Sequence, residues 1–154
     1  MQLPARPHFS PPILRTILRY PSNEPCELQS LDSSMQLTNA DIEAVVNICN
    51  EKLVYNVLFS RILNGQPYSK AGAERFFAWA CEGWDTNSWF VFIIRNSRKD
   101  IIAAIDIKSN TTDAAETGYW ASASSPGIMT NAMFQLCDLA KEAGYRSLYA
   151  LVAP

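Results

Sequence analysis

An α/β fold built on a mixed sheet is what three features of the sequence predict. Residues 89–122 carry β-rich segments separated by polar turns, Met129 to Gly144 follows helical spacing, and a strand-like apolar segment comes directly after it. The β-rich segments form an antiparallel meander, and the helix then crosses over to a parallel strand, with helices on both faces of the sheet.

Element by element, residues 1–12 contain four prolines and read as a poorly ordered extension, so the single domain spans 13–154. Ile13 to Tyr20 alternates loosely and Cys26 to Leu31 is a weaker strand candidate. Thr38 and Asp41 offer a cap and an early negative charge, and Ile42, Val45, Val46, Cys49 and Leu53 follow at three- and four-residue spacing, which predicts a helix over 40–52. Val54 to Leu63 stays apolar until Asn64-Gly65 stops it, and Ser69 caps a second helix over 70–82. Its stripe of Ala73, Phe76, Phe77, Ala80 and Trp84 is the mark of a core-facing helix.

Trp89 to Arg95 and Ile101 to Lys108 pair across a polar turn, and Ala115 to Ser122 adds the third strand. Pro126-Gly127 breaks the chain before the Met129 helix, whose apolar set runs through Ala132, Met133, Leu136, Ala140 and Ala143. Tyr145 to Ala153 is apolar on both faces, which predicts a strand inside the sheet.

Composition narrows the function. Hydrophobic residues make up 48% and charged residues 18% of 154, so the chain folds around a real core. A net charge of −2 leaves no basic surplus for nucleic acid, and no apolar run exceeds six residues, which excludes a membrane span. The four cysteines show no CxxC spacing, so they read as reduced thiols of a cytoplasmic protein without a metal site. The single His8 lies in the proline-rich opening, so a Ser-His-Asp or Cys-His site would have to place its base on the least structured part of the chain, which argues against one.

One turn has the makings of a site. Ser122 to Ile128 leaves a strand and opens a helix whose first N–H groups carry partial positive charge, a setting suited to an anion such as a pyrophosphate. Gly127 would let that anion approach the backbone, and Ser124, Ser125, Thr130 and Asn131 would add donors. An ordinary tight turn is the competing reading.

Ala115-Glu-Thr-Gly-Tyr-Trp120, Gly127-Ile-Met-Thr-Asn-Ala132 and Ala143-Gly-Tyr-Arg-Ser-Leu-Tyr-Ala150 together resemble the GNAT superfamily of N-acetyltransferases, and more narrowly its ribosomal-protein alanine acetyltransferase-like branch. The likeness takes in Thr38 to Asp41, Pro67 to Ser69, Glu82 to Trp84 and Ile105 to Lys108, and covers residues 30–154. It implies transfer of an acetyl group from acetyl-CoA to a primary amine, a protein N-terminus or a small amine. The pyrophosphate would sit on Ser124 to Thr130, taking in Ile128 and Met129. Pantetheine would insert where the strands of Glu116 to Ser122 and Leu148 to Ala153 splay, with a main-chain amide near Trp120, Ala121 or Ser122 polarising the thioester. Glu116 is the matching catalytic base, or else a structural carboxylate, and Tyr68, Trp84 and Trp89 fall where the family places its acceptor.

The sequence departs from the family at the loop, where Pro126 has no amide to give and no Lys or Arg occurs between residues 109 and 140. It also stops where the family continues, so the domain reads as C-terminally incomplete. An uncovered last strand would favour a homodimer. A catalytically silent acetyl-CoA-binding or interaction module is the alternative to an enzyme.

Overall fold

The structure is a computed structural model and describes residues 5–151. Two short N-terminal strands, β1 (Leu14–Arg19) and β2 (Glu24–Ser30), form a hairpin, followed by helix α1 (Asn39–Cys49). The Thr38 hydroxyl accepts from Asp41 N–H while the Asp41 carboxylate accepts from Thr38 N–H, a reciprocal cap that fixes the start of α1. A single turn, α2 (Lys52–Val54), runs into a π turn, Tyr55–Phe59, in place of a continued helix. Helix α3 (Lys70–Asp85) starts on the Ser69 cap. Strands β3 (Phe90–Arg95), β4 (Ile101–Ile107) and β5 (Ala115–Ala121), helix α4 (Met129–Ala143) and strand β6 (Leu148–Ala150) complete the order.

The six strands line up in chain order, antiparallel except for the parallel β5–β6 pair. From Ala104 onward the even-numbered positions of β4 and β5 share one face with the odd-numbered positions Val91 and Ile93 of β3, and there Val91, Ile93, Ala104 and Trp120 pack with Val45, Ile48, Ala73, Phe77 and Ala80 of α1 and α3. The opposite positions, Phe90, Phe92, Ile94, Ala103, Ile105 and Ile107, pack with Ala132, Leu136, Leu139 and Ala140 of α4. Alternation along each strand thus feeds two cores, one per face.

Three expectations change. Of the expected interior strand over 145–153, the described part forms only β6, which pairs over three residues at the sheet edge with Tyr149 and Leu151 exposed; residues 152–154 lie outside the described part. Apolarity on both faces marked the segment but not its neighbours. Helix α1 stops at Cys49 rather than 52, because Asn50 caps it and Glu51 turns extended. Residues 5–12 of the expected extension lie against the domain. Phe9 meets Trp84, Phe90 and Tyr145 at ring-centroid distances of 5.4, 4.6 and 6.2 Å, and His8, itself exposed, donates its N–H to Ala143 O.

All four cysteines are free, and no helix among the described residues is long and apolar enough to cross a membrane.

Candidate functional site

The site begins where β5 loses its neighbour. Ser122 N–H donates to Ile102 O, and Lys108 N–H donates to Glu116 O, so the even-numbered peptide groups of β5 look toward β4. Ala115 N–H donates to Ser147 O, so the odd-numbered ones look toward β6. Pairing with β6 ends at Thr117↔Ala150, while β5 continues to Ala121. The N–H groups of Tyr119 and Ala121 therefore face a side where, among the described residues, no strand pairs with them. This refines the sequence reading: the amide of Ser122 is spent on β4 and that of Trp120 points the same way, leaving Ala121 and the unforeseen Tyr119.

The loop to α4 divides into two halves. In the first, the protein uses its own amides: Ala123 N–H donates to Glu51 Oε1 (2.8 Å), Ser124 N–H to Ser122 Oγ (3.2 Å) and Ser125 N–H to Ser122 O (3.1 Å). The Ser122 hydroxyl, 2.8 Å from Glu51 Oε2 and 2.7 Å from Ser124 Oγ, completes a closed cluster. The Ser124 and Ser125 N–H groups, expected from the sequence among the donors to an anion, are thus engaged within the loop itself.

In the second half the backbone N–H groups of Gly127, Ile128, Met129, Thr130 and Asn131 have no protein acceptor among the described residues. Helix α4 has no side-chain cap, so its positive end is open. The β1–β2 hairpin grips this half by other atoms. Tyr20 N–H donates to Gly127 O (3.2 Å), Arg19 Nη1 to Pro126 O (3.1 Å) and Asn131 Nδ2 to Leu18 O (2.7 Å). Arg19 brings to the loop the cation that residues 109–140 lack, balanced by Glu24 at 2.9 Å. Gly127 serves this docking: its φ is +88°, and its missing Cβ makes room for the Tyr20 carbonyl rather than for an anion.

A carboxylate pair lies on the α1/α3 face beside the same stretch of β5. Asp106 accepts the Gly118 N–H at Oδ1 (2.9 Å) and faces Lys108 Nζ at 3.3 Å. Burial pushes its carboxyl up, Lys108 opposes this, and the Glu116 charge adds to the rise. Glu116 is half-buried, and its carboxylate has no side-chain partner among the described residues. Lys108 Nζ lies over Gly118, where an added Cβ would be 2.9 Å from it. Asp106 was not singled out from the sequence, although a charged residue inside the apolar run Ile101 to Ile107 was the available signal.

The sequence model of the acetyltransferase (GNAT) domain family matches residues 35–154. The chain belongs to the GNAT acetyltransferases. RimJ from Mycobacterium smegmatis, solved in complex with CoA-disulfide, is similar in fold at 16% identity and TM-score 0.66, over 92% of this chain and 68% of that one. The RimL ribosomal L7/L12 alpha-N-protein acetyltransferase in its apo form has TM-score 0.62 at 14% identity, over 95% and 76%. N-acetyltransferase PseH of Campylobacter jejuni, in complex with acetyl coenzyme A, has TM-score 0.51 at 19% identity, over 82% and 76%. At such identities the shared property is the fold. No curated protein matches the sequence significantly.

Within this GNAT domain the three aromatic acceptor candidates do not converge. Trp84 is core: its ring packs on Phe9, Phe90 and Phe92, and its Nε1 donates to Val91 O at 2.9 Å. Trp89 lies against α3 at Gly83, stacks on Trp79 at 5.6 Å and donates to Trp79 O. Tyr68 is buried against Phe59 at 4.8 Å beside Cys49, and burial raises both groups, the Cys49 thiol to about 12. A pair of bonds to Asn50 fixes the Tyr68 backbone. These side chains serve packing, as large aromatics usually do. No group of His, Cys, Asp and Glu fit to hold a metal occurs among the described residues.

Proposed function

We propose that this GNAT domain transfers the acetyl group of acetyl-CoA to a primary amine, a protein N-terminus or a small amine. The observation that carries the reading is a pair of free-donor groups: Tyr119 and Ala121 on the open side of β5, and Gly127 to Asn131 at the start of α4. A diphosphate fits the second group by charge and hydrogen bonding, and an extended amide-bearing chain fits the first as a strand would. Acetyl-CoA offers both and supplies an activated acyl group.

The protein's own part follows from these positions. The amides of α4 hold the phosphates, with Thr130 and the nearby Arg19 in support. An amide of Tyr119 or Ala121 donates to the thioester oxygen and stabilises the negative charge that develops there as the amine nitrogen bonds to the carbonyl carbon. Glu116 takes the proton that the nitrogen gives up, and the carbon–sulfur bond breaks to release CoA thiolate, which takes a proton from solvent as Glu116 returns its own to solvent. Asp106, on the same face of the sheet, has its own carboxyl raised by burial and, to a smaller degree, by the charge of Glu116.

A specific observation favours a second reading, a binding module without turnover: the amides of Ala123 to Ser125 are occupied by the protein itself. Release of free thiol from acetyl-CoA, measured with and without N-terminal peptides and small amines, separates the two. Amine-dependent release is the expected result. Saturable CoA binding without release supports the module, and no binding at millimolar CoA overturns both.

A further inference from the structure

We infer that Glu51 is a positioning residue for the cofactor loop, holding the exit of β5 to the end of α1 so that the free amides of α4 are presented in one fixed arrangement. The inference builds on the acyl-transfer reading above and names a residue that contacts neither acetyl group nor amine.

The case starts from where Glu51 sits. Helix α1 ends on Asn50, and Glu51 is extended at φ −59°, ψ 138°, which turns its side chain out of the helical path. Its carboxylate reaches across 72 positions of sequence to Ala123 N–H at 2.8 Å and across 71 to the Ser122 hydroxyl at 2.8 Å. Ser122 is the last residue whose N–H bonds to β4, and Ala123 opens the loop. Glu51 thus binds the chain at the point where its direction is set. The neighbouring Asn50 holds the backbone of Tyr68 through both its amide atoms, so the junction is anchored in turn.

At its far end the loop is held by Tyr20, Arg19 and Asn131, through the carbonyls of Pro126, Gly127 and Leu18. Between the two anchors every protein contact to the Gly127–Asn131 backbone uses an oxygen and spares the N–H groups. Hydrogen bonds to a charged carboxylate are stronger than neutral ones, so the two Glu51 bonds make a firm link at the exit of β5. Fixing donors before the ligand arrives removes an ordering cost from binding.

The opposite effect is also available to a carboxylate in this place: its negative charge could repel a diphosphate. Substitutions separate the two. In Glu51→Ala both bonds are lost with the charge, whereas in Glu51→Gln the charge is lost but an acceptor for Ala123 N–H is kept. CoA binding by calorimetry and amide exchange of residues 123–131 by mass spectrometry or NMR are measured on all three proteins, with circular dichroism to verify folding. The positioning role predicts faster exchange of the loop amides and about tenfold weaker CoA binding in Glu51→Ala, a shift of about 1.4 kcal/mol. Glu51→Gln is expected to bind as the parent does or more tightly. Equal affinity of parent and Glu51→Ala overturns the inference alone, as does tighter binding by Glu51→Ala. A parent protein that takes up no CoA overturns the functional reading and this inference with it.

Discussion

The carbonyl oxygen of Tyr20 lies 1.7 Å from the point where a Cβ on residue 127 would stand. The hairpin tip and the loop between β5 and α4 therefore interlock through the absence of a side chain. With φ at +88°, Gly127→Ala meets both backbone strain and a collision with main chain that cannot rotate away. The substitution is expected to cost at least about 2 kcal/mol, read as a lower urea midpoint with unchanged slope.

Arg95 joins the sheet to α1. Its Nη1 and Nη2 meet the two Asp41 oxygens at 2.7 and 3.2 Å, Nε meets Gln29 Oε1 at 3.0 Å, and both partners of the ion pair are largely buried. Burial opposes the Asp41 charge, yet Arg95 and the Thr38 cap hold its carboxyl below the usual range. Arg95→Met removes one partner and leaves a buried carboxylate short of its counter-charge, at an expected cost of about 3–5 kcal/mol in chemical denaturation.

Acid stability has two opposed contributions. Bonds from Ser97, then from Arg19, lower the Glu24 carboxyl from 4.5 to about 2, so its stabilisation is present above 4.5 and is lost as pH falls toward 2. Asp106 is raised above 3.8 by burial, so its contribution is full below 3.8 and is lost as pH rises through its folded value. Denaturation across pH 2–7 should show Glu24→Gln flattening the acid loss and Asp106→Asn removing the decline on the rising side. A decline that persists in Asp106→Asn contradicts the assignment.

Glu116→Gln keeps shape and removes the proton acceptor. Turnover with a primary amine should fall by about 10²–10⁴-fold while CoA affinity stays unchanged. Unchanged turnover across pH would return Glu116 to a structural role.

Local chemistry was legible in the sequence and distant chemistry was not. The Thr38 and Ser69 caps, the span of α4 and its Gly144 stop at φ +108° are written in neighbouring residues. The break at Pro126-Gly127 was visible too, but its cause was not, because Tyr20 is far away in sequence. Glu51 on Ala123, Arg19 on Pro126 and Phe9 in its aromatic nest are all pairings that no periodicity encodes. Trp84 shows the limit of pattern reading: its stripe marked it as apolar, and only the fold showed that it crosses into the core on the α4 side of the sheet.

The most direct test of the central claim is a titration of the ¹⁵N-labelled protein with CoA, followed at backbone amides. The account predicts saturable shifts at Gly127 to Asn131 and at Tyr119 and Ala121, with Ser124 and Ser125 little changed. Saturable binding that leaves Gly127 to Asn131 unmoved would contradict it.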